Sequence, residues 1–204
     1  MYKNKGKEYE VYGLEHYRRF FTNLSFSKNN VFFLKKRQIM RILKRYDVIL
    51  AKKLYWPDGI TVGRSYWFLG EGKQKDLLLV ENAICCLYPE CIEAFHAVLN
   101  DVGASYANMF IMSAEIFNDY CNWLFSILSQ IEPSINLVEE GYTLSESRIY
   151  GYLGEILLNV YVKSKSLRVK QKGVVNIDQP FIIRLKKFIK EIIDGIFKRN
   201  VKFR

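Results

Sequence analysis

Residues 9–21 read Tyr-Glu-Val-Tyr-Gly-Leu-Glu-His-Tyr-Arg-Arg-Phe-Phe. The first part, residues 9–14, alternates and is rich in β-prone side chains, which predicts a short strand. The second part, residues 15–21, is a dense cluster of charged and aromatic side chains. Folds of the α/β class bind their ligands just beyond the ends of strands. The stretch therefore predicts a strand that leads into a binding site.

On either side of this site the chain alternates short strands with helices. Helical spacing of apolar residues, together with capping residues, predicts helices over residues 36–46, 75–87, 89–99, 144–161 and 180–199, and one that starts at Ser113. Apolar runs predict strands over residues 47–51 and 107–112. Residues 54–72 are rich in Gly and aromatic residues without a sustained period, which predicts a surface loop. These elements indicate a helix-rich α/β or α+β sandwich.

The positive charge of the chain is confined to its C-terminal fifth. Residues 163–204 contain 13 Lys and Arg against three Asp and Glu, whereas the preceding 162 residues contain 18 of each. A nucleic-acid-binding domain usually carries its basic surface on the folded module. We therefore expect no nucleic-acid partner, and we divide the chain into a domain over residues 1–162 and a basic tail over residues 163–204.

Two further classes of protein are disfavoured. The longest uncharged stretches, residues 102–114 and 120–131, fall short of the ~20 apolar residues that a spanning helix needs. The N-terminus has basic residues but no apolar run behind them, so it does not read as a secretory signal. The four cysteines form no CxxC pair, which favours reduced thiols and a cytoplasmic protein.

Five stretches resemble one family, and they occur in that family's order. They are Gly13-Leu14-Glu15-His16-Tyr17-Arg18-Arg19-Phe20; Tyr46-Asp47-Val48-Ile49-Leu50; Tyr88-Pro89-Glu90 with Glu93-Ala94-Phe95; Asn108-Met109-Phe110-Ile111-Met112 continuing through Trp123-Leu124-Phe125; and Arg148-Ile149-Tyr150-Gly151-Tyr152-Leu153 with Glu155 and Asn159. The family is that of bacterial capsular and O-antigen polysaccharide glycosyltransferases, long catalogued only as a domain of unknown function. Its signature is Gly-Leu-x-His-Tyr-Arg-Arg-Tyr/Phe.

The resemblance implies a fold, a reaction and a location. It implies a GT-A-like glycosyltransferase core that transfers a sugar from a nucleotide-sugar, with a UDP-sugar as the expected donor, to a polyprenyl-linked capsule or O-antigen intermediate. Other polysaccharide-assembly proteins are expected as further partners. Family members usually carry an N-terminal segment before the signature, so we expect this core to be N-terminally incomplete. The family often has histidines within the counterpart of residues 54–72, and this chain has none there.

The signature supplies the first candidate site residues. A departing diphosphate needs positive charge, and the planar fork of arginine bonds two phosphate oxygens at once. Arg18, Arg19 and Tyr17 are therefore expected to bind the donor, with His16 as a catalytic residue. The spacing alone is also consistent with a structural role for these residues. In that case one arginine pairs with an internal carboxylate, and His16 is a hydrogen-bonded, half-buried residue.

The later motifs supply the remaining candidates. Arg148 and Glu155 are seven residues apart on one predicted helix, so they share a face. Arg148 is expected to contact the donor and Glu155 to be catalytic, as a base or as an acceptor for a sugar hydroxyl. A surface ion-pair network fits the same spacing. Asn108 is expected to bind the donor through a sugar hydroxyl, although it also fits a turn cap.

A metal ion is not indicated by the sequence. The chain contains no Asp-x-Asp, which is the usual cation-binding pair of a GT-A enzyme. Glu15 and His16 occupy the comparable place after the strand and fit a cation, but Glu15 stands where the signature is variable. We expect a metal-independent enzyme in which arginines take over the role of the cation.

The tail suggests contact with a membrane. Its predicted helix, residues 180–199, pairs an apolar stripe with basic residues, and such helices lie on anionic lipid. Arg184, Lys186, Lys187 and Lys190 are expected to contact the inner face of the plasma membrane, which makes the protein peripheral there. A second hypothesis is a truncated, non-catalytic relic that binds a membrane or a partner protein.

Overall fold

The computed structural model describes residues 9–26, 31–56 and 59–178. Within these residues the chain forms eight strands and six α-helices: β1 (Val11–Leu14), β2 (Arg19–Phe26), β3 (Val31–Phe33), α1 (Lys36–Leu43), β4 (Val48–Ala51), β5 (Leu54–Tyr55), α2 (Val62–Phe68), α3 (Gln74–Leu87), α4 (Ile92–Leu99), β6 (Gly103–Ala104), β7 (Phe110–Ser113), α5 (Ala114–Ile131), α6 (Ile149–Ser164) and β8 (Val169–Asn176). The structure is therefore mixed α/β and rich in helix, as predicted. The tail helix predicted over residues 180–199 lies outside the described residues.

Six of the strands form one sheet, in the order β1-β7-β4-β8-β2-β3. The pair β4 and β8 is parallel, and the other neighbours are antiparallel. Strands β1 and β2 are far apart in this order, yet only residues 15–18 connect them, so the sheet curls. Strand β8 joins its two halves, although the charge pattern had assigned residues 169–176 to the tail.

The two faces of the sheet support separate cores. On β4, successive side chains point to opposite faces, so Val48 and Leu50 pack against the layer of α2 to α6. Ile49 and Ala51 pack on the other face against α1. All four β4 residues are buried. This double burial explains why the strand reads as a continuous apolar run.

The prediction of a surface loop over residues 54–72 is wrong. This segment contains β5 and the two-turn helix α2, which begins after Thr61, whose Oγ1 accepts a hydrogen bond from the backbone N–H of Arg64 at 3.3 Å. Val62 and Tyr66 are buried in the core, whereas the last residues of the helix, around Phe68, are exposed. A helix this short gives too few apolar positions for its period to be visible in the sequence.

Replacement of Ile49 by alanine should lower the free energy of unfolding by about 2–5 kcal/mol, because it leaves a cavity in a packed core. Ile49 is fully buried, at 0% exposure. Val138 is 88% exposed and serves as the control, since Val138→Ala should change stability by less than about 0.5 kcal/mol. Chemical denaturation measures both values. Equal effects of the two substitutions would contradict the described core.

Candidate functional site

The turn between β1 and β2 brings His16 next to Arg19. The two residues form an antiparallel bridge, and the backbone N–H of Arg19 donates to the carbonyl of His16 at 3.2 Å. Leu14 lies opposite Phe110 at the start of β7, and Arg19 lies opposite Asn176 at the end of β8. The turn is therefore at the edge of the sheet where the parallel strands β4 and β8 both end, which is the usual ligand-binding edge of such sheets.

The loop before β7 lies opposite the β1–β2 turn and forms the other wall of the site. Ala107 and Asn108 both have left-handed backbone conformations, with φ of 76° and 48°. The ring Nε2 of His16 donates to the carbonyl of Ala107 at 2.6 Å, and the amide of Asn108 donates to the carbonyl of Gly151 at 3.0 Å. A left-handed alanine costs free energy and persists only where its surroundings hold it. His16 and the start of α6 do so here.

A reciprocal amide pair ties this loop to α6. The side chain of Asn159 accepts from the backbone N–H of Ser105 at 3.0 Å and donates to the carbonyl of Ser105 at 2.9 Å. The same amide donates to the carbonyl of Glu155 at 2.8 Å, and the Ser105 hydroxyl donates to the carbonyl of Ala51 at 2.8 Å. The loop is therefore fixed to both β4 and α6. No local pattern indicates this role of Asn159 beyond its place in the last motif.

Glu155 is the centre of the resulting group. Its side chain is partly buried on α6. Burial raises the pKa of its carboxyl group, and the backbone N–H of Ala107 and the charges of His16, Arg19 and Arg148 oppose this rise. The structure thus brings together four residues that the sequence singled out from two distant motifs. The group combines a partly dehydrated carboxylate, which can accept a proton, with cationic side chains, which can hold an anion.

Among the residues that the structure describes, no carboxylate forms an ion pair with either arginine of this group, Arg19 or Arg148. Arg148 precedes the first turn of α6, and its guanidinium lies 5.4 Å from the centre of the Tyr152 ring. Both charges therefore remain available to a ligand.

Tyr17 and Arg18 lie at the exposed tip of the turn. The guanidinium of Arg18 lies 4.6 Å from the centre of the Tyr17 ring and forms an ion pair with Asp178 at 2.9 Å. Tyr17 is 76% exposed. The charges that act on Glu155 are those of His16, Arg19 and Arg148, and Arg18 is not among them. One arginine of the signature is thus paired with a carboxylate of the chain, as the spacing alone allowed.

Two residues near Glu155 were not singled out by the sequence. Glu71, in the turn between α2 and α3, is partly buried, and burial together with the charge of Glu155 raises its pKa to about 7. Tyr106 is partly buried as well, and burial and the charges of Glu71 and Glu155 raise the pKa of its hydroxyl group. Neither residue belongs to a recognisable motif, so only the fold reveals their place.

The described residues contain no cluster of three His, Cys, Asp or Glu side chains that could hold a metal ion. The carboxylate of Glu15 accepts the backbone N–H of Phe21 at 2.6 Å, and burial raises its pKa. His16 is engaged with the carbonyl of Ala107. Metal independence stays a prediction.

A cavity of about 430 Å³ lies next to this group. Its wall includes Ser105 and Asn159, so it begins one helical turn along α6 from Glu155. Lys53 is also in the wall, where it pairs with Asp101 at 2.6 Å. The amide pair of Ser105 and Asn159 is therefore shared between the cavity and the group around Glu155.

Comparison with known proteins gives a family and a fold neighbour. The family model described as "Domain of unknown function (DUF4422)" matches residues 1–166. A solved apo structure of WbbM, named as a bifunctional glycosyltransferase, superposes with a TM-score of 0.74 at 25% sequence identity. The match covers 87% of this chain and 35% of that chain. Among curated proteins, none matches.

The structure also bears on membrane contact. None of the described helices is both long enough and apolar enough to cross a bilayer. The residues expected to contact lipid, Arg184, Lys186, Lys187 and Lys190, lie outside the described residues. Their contact with a membrane stays a prediction.

Proposed function

The chain belongs to the family of the domain of unknown function DUF4422, and we propose that it is a glycosyltransferase. The similarity to a bifunctional glycosyltransferase supports a glycosyltransferase-like role. The donor of our proposal is a nucleotide-sugar, with a UDP-sugar expected, and the acceptor is a polyprenyl-linked capsule or O-antigen intermediate. One observation carries the proposal: Glu155 shares the ligand-binding edge of the sheet with His16, Arg19 and Arg148.

Arg19 and Arg148 would stabilise the leaving group. When the bond between the sugar and the diphosphate breaks, its electron pair leaves with the diphosphate oxygen. Fixed positive charges near that oxygen stabilise the developing negative charge in a partly dehydrated site. Arginine suits this role because it presents several donors in a rigid plane. The absence of ion pairs at both arginines among the described residues is what such a role requires.

Glu155 would act as the base. The O–H bond of the acceptor hydroxyl breaks, its proton passes to the Glu155 carboxylate, and the oxygen forms the new glycosidic bond. A carboxylate whose pKa is raised by burial is a stronger base than an exposed one. His16 keeps its Nε2 bonded to Ala107, so it holds the loop wall beside the base. Asn108, bonded to Gly151, lines the same wall and would contact a sugar hydroxyl.

The setting of the reaction follows from its acceptor. A polyprenyl-linked glycan is anchored in the inner leaflet, so the enzyme would work at the cytoplasmic face of the plasma membrane. The basic tail, residues 163–204, would bring it to this anionic surface. Other polysaccharide-assembly proteins would be partners there.

The test is a transfer assay with the purified protein. A panel of UDP-sugars is incubated with the chain and a bacterial lipid extract that contains polyprenyl-linked glycans, and release of UDP is measured. We expect release that depends on both the donor and the lipid extract. Absence of donor binding by calorimetry and of UDP release with every sugar would overturn the proposal. Binding to anionic vesicles alone would then favour the non-catalytic module.

A further inference from the structure

Asp76, in the first turn of α3, carries a fully buried carboxylate, at 0% exposure. One of its oxygens accepts hydrogen bonds from the hydroxyl of Tyr66 at 3.0 Å and from the backbone N–H of Lys73 at 2.6 Å. Its other oxygen accepts a hydrogen bond from the hydroxyl of Tyr142. Burial of a carboxylate is costly unless such donors replace the water that it has lost. We call these four residues the Asp76 network.

The Asp76 network holds residues 138–148, the last part of the connection between α5 and α6. Gly141 has a left-handed backbone conformation, with φ of 63°, which allows the chain to turn sharply just before Tyr142. The Nζ of Lys73 donates to the carbonyl of Glu140 and lies 4.4 Å from the centre of the Tyr142 ring. Two members of the network, one at each side of the Tyr142 ring, thus bind this segment to the start of α3.

Apolar packing contributes little to the position of this segment. Val138 is 88% exposed and Leu144 is 91% exposed. Within residues 138–148, Tyr142 is the hydrophobic side chain that packs against the core. The position of the segment therefore depends on the hydrogen bonds that Tyr142 and Lys73 make.

The segment ends at Arg148. The backbone N–H of Thr143 donates to the carboxylate of Glu146 at 2.7 Å, and the backbone N–H of Glu146 donates to Oγ1 of Thr143 at 3.2 Å. This turn continues as a short 3-10 helix that includes Arg148. Three residues further along the chain, the carbonyl of Gly151 accepts the hydrogen bond from Asn108. Arg148 therefore lies between the segment held by the network and the part of α6 that contacts the loop before β7.

We propose that Asp76 is a positioning residue of the donor site: through Tyr142 it fixes residues 138–148, and it thereby places the guanidinium of Arg148 at the ligand-binding edge. A cation that is already in place needs little reorganisation when the diphosphate binds. The role of Arg148 in donor binding rests on the proposed function. The fixed position of the segment does not.

The first test is amide hydrogen exchange, measured by NMR on the full chain without ligand. Tyr142→Phe removes the hydroxyl donor and keeps the ring. The backbone N–H groups of Ser147 and Arg148, which donate to carbonyls within the segment, should then exchange about tenfold faster, because a hydrogen bond to a charged group is lost. Unchanged exchange at both positions would overturn the proposal.

Two further variants keep this test decisive. Lys73→Met removes the donor to the carbonyl of Glu140 and keeps the apolar stem, so it should speed exchange at the same positions if Tyr142→Phe does not fold. Tyr88→Phe is the matched control. Tyr88 is a partly buried tyrosine too, and its hydroxyl lies 2.9 Å from that of Ser126, away from the segment. Its loss should leave exchange in residues 138–148 unchanged, and faster exchange there would contradict a specific role of Tyr142.

Binding of UDP, measured by calorimetry, tests whether the network acts through Arg148. Tyr142→Phe should weaken UDP binding by about 3–100-fold, the usual range for coupled residues. In the Arg148→Ala background the same substitution should have little further effect, because the residue through which it acts is gone. A structural role alone would lower the melting temperature in both backgrounds and leave the losses of affinity additive. Additive losses would overturn the proposal.

The two measurements also separate this proposal from the proposed function. A wild type that binds no UDP or UDP-sugar would overturn the proposed function, and hydrogen exchange would still decide whether Asp76 fixes the segment. UDP binding by the wild type, with unchanged exchange in Tyr142→Phe, would leave the proposed function standing and overturn the role of Asp76.

Discussion

Replacement of Arg19 by alanine should lower kcat/KM for sugar transfer by about 10²–10³-fold, the usual loss when one fixed charge at a developing anion is removed. Arg19 acts on Glu155 at the ligand-binding edge and forms no ion pair among the described residues. Arg18→Ala should lower kcat/KM by less than about fivefold, because it removes an exposed ion pair with Asp178 and a contact with the exposed Tyr17 ring. The two neighbouring arginines of the signature thus differ in their expected effects.

The measurement is steady-state transfer at saturating acceptor, with melting curves recorded in parallel. Arg41→Ala is the matched control, because Arg41 is exposed in the last turn of α1. Its kcat/KM should equal that of the wild type. A larger loss of kcat/KM in Arg18→Ala than in Arg19→Ala would show that the exposed tip of the turn binds the donor, and that Arg19 at the start of β2 does not.

These two arginines also show which features of the site can be predicted from the sequence. The signature identified both of them, but it could not say which one faces the site. That choice depends on how the turn between β1 and β2 is placed, and distant residues determine it: Leu14 pairs with Phe110 of β7, and Arg19 pairs with Asn176 of β8. The motif identifies the two arginines, whereas strand pairing with distant residues determines which of them acts on Glu155.

The fold was predictable where a segment is long and periodic. Helices α3 to α6 and strands β1, β4 and β7 lie close to their predicted positions. Strand β8 was not predicted, because its Lys, Gln and Gly residues have low β-propensity and it forms by pairing with β4 and β2. Glu71 was missed for the same kind of reason, since its neighbours come from other parts of the chain. Short elements and isolated site residues depend on contacts that no local pattern encodes.

Replacement of Glu155 by glutamine should lower kcat by about 10²–10⁴-fold, the range that a positioned general base contributes. Glutamine keeps the size and hydrogen-bonding oxygen of the side chain but cannot accept a proton. KM for the donor should change little, because Arg19 and Arg148 remain in place, so the loss should fall on kcat. The melting temperature should not fall at neutral pH, since burial disfavours the charged form of this carboxyl group.

The pH dependence of kcat/KM distinguishes the loss of a general base from a general disturbance of the site. Wild-type kcat/KM should rise with pH as Glu155 loses its proton, at a pH above the ordinary range of a glutamate because burial raises its pKa. Glu155→Gln should lose this rise of kcat/KM with pH entirely. Glu93→Gln, exposed on α4, should keep both the wild-type rate and the rise. If Glu155→Gln keeps more than about a tenth of the wild-type kcat, a loss far smaller than a base supplies, Glu155 is not the base.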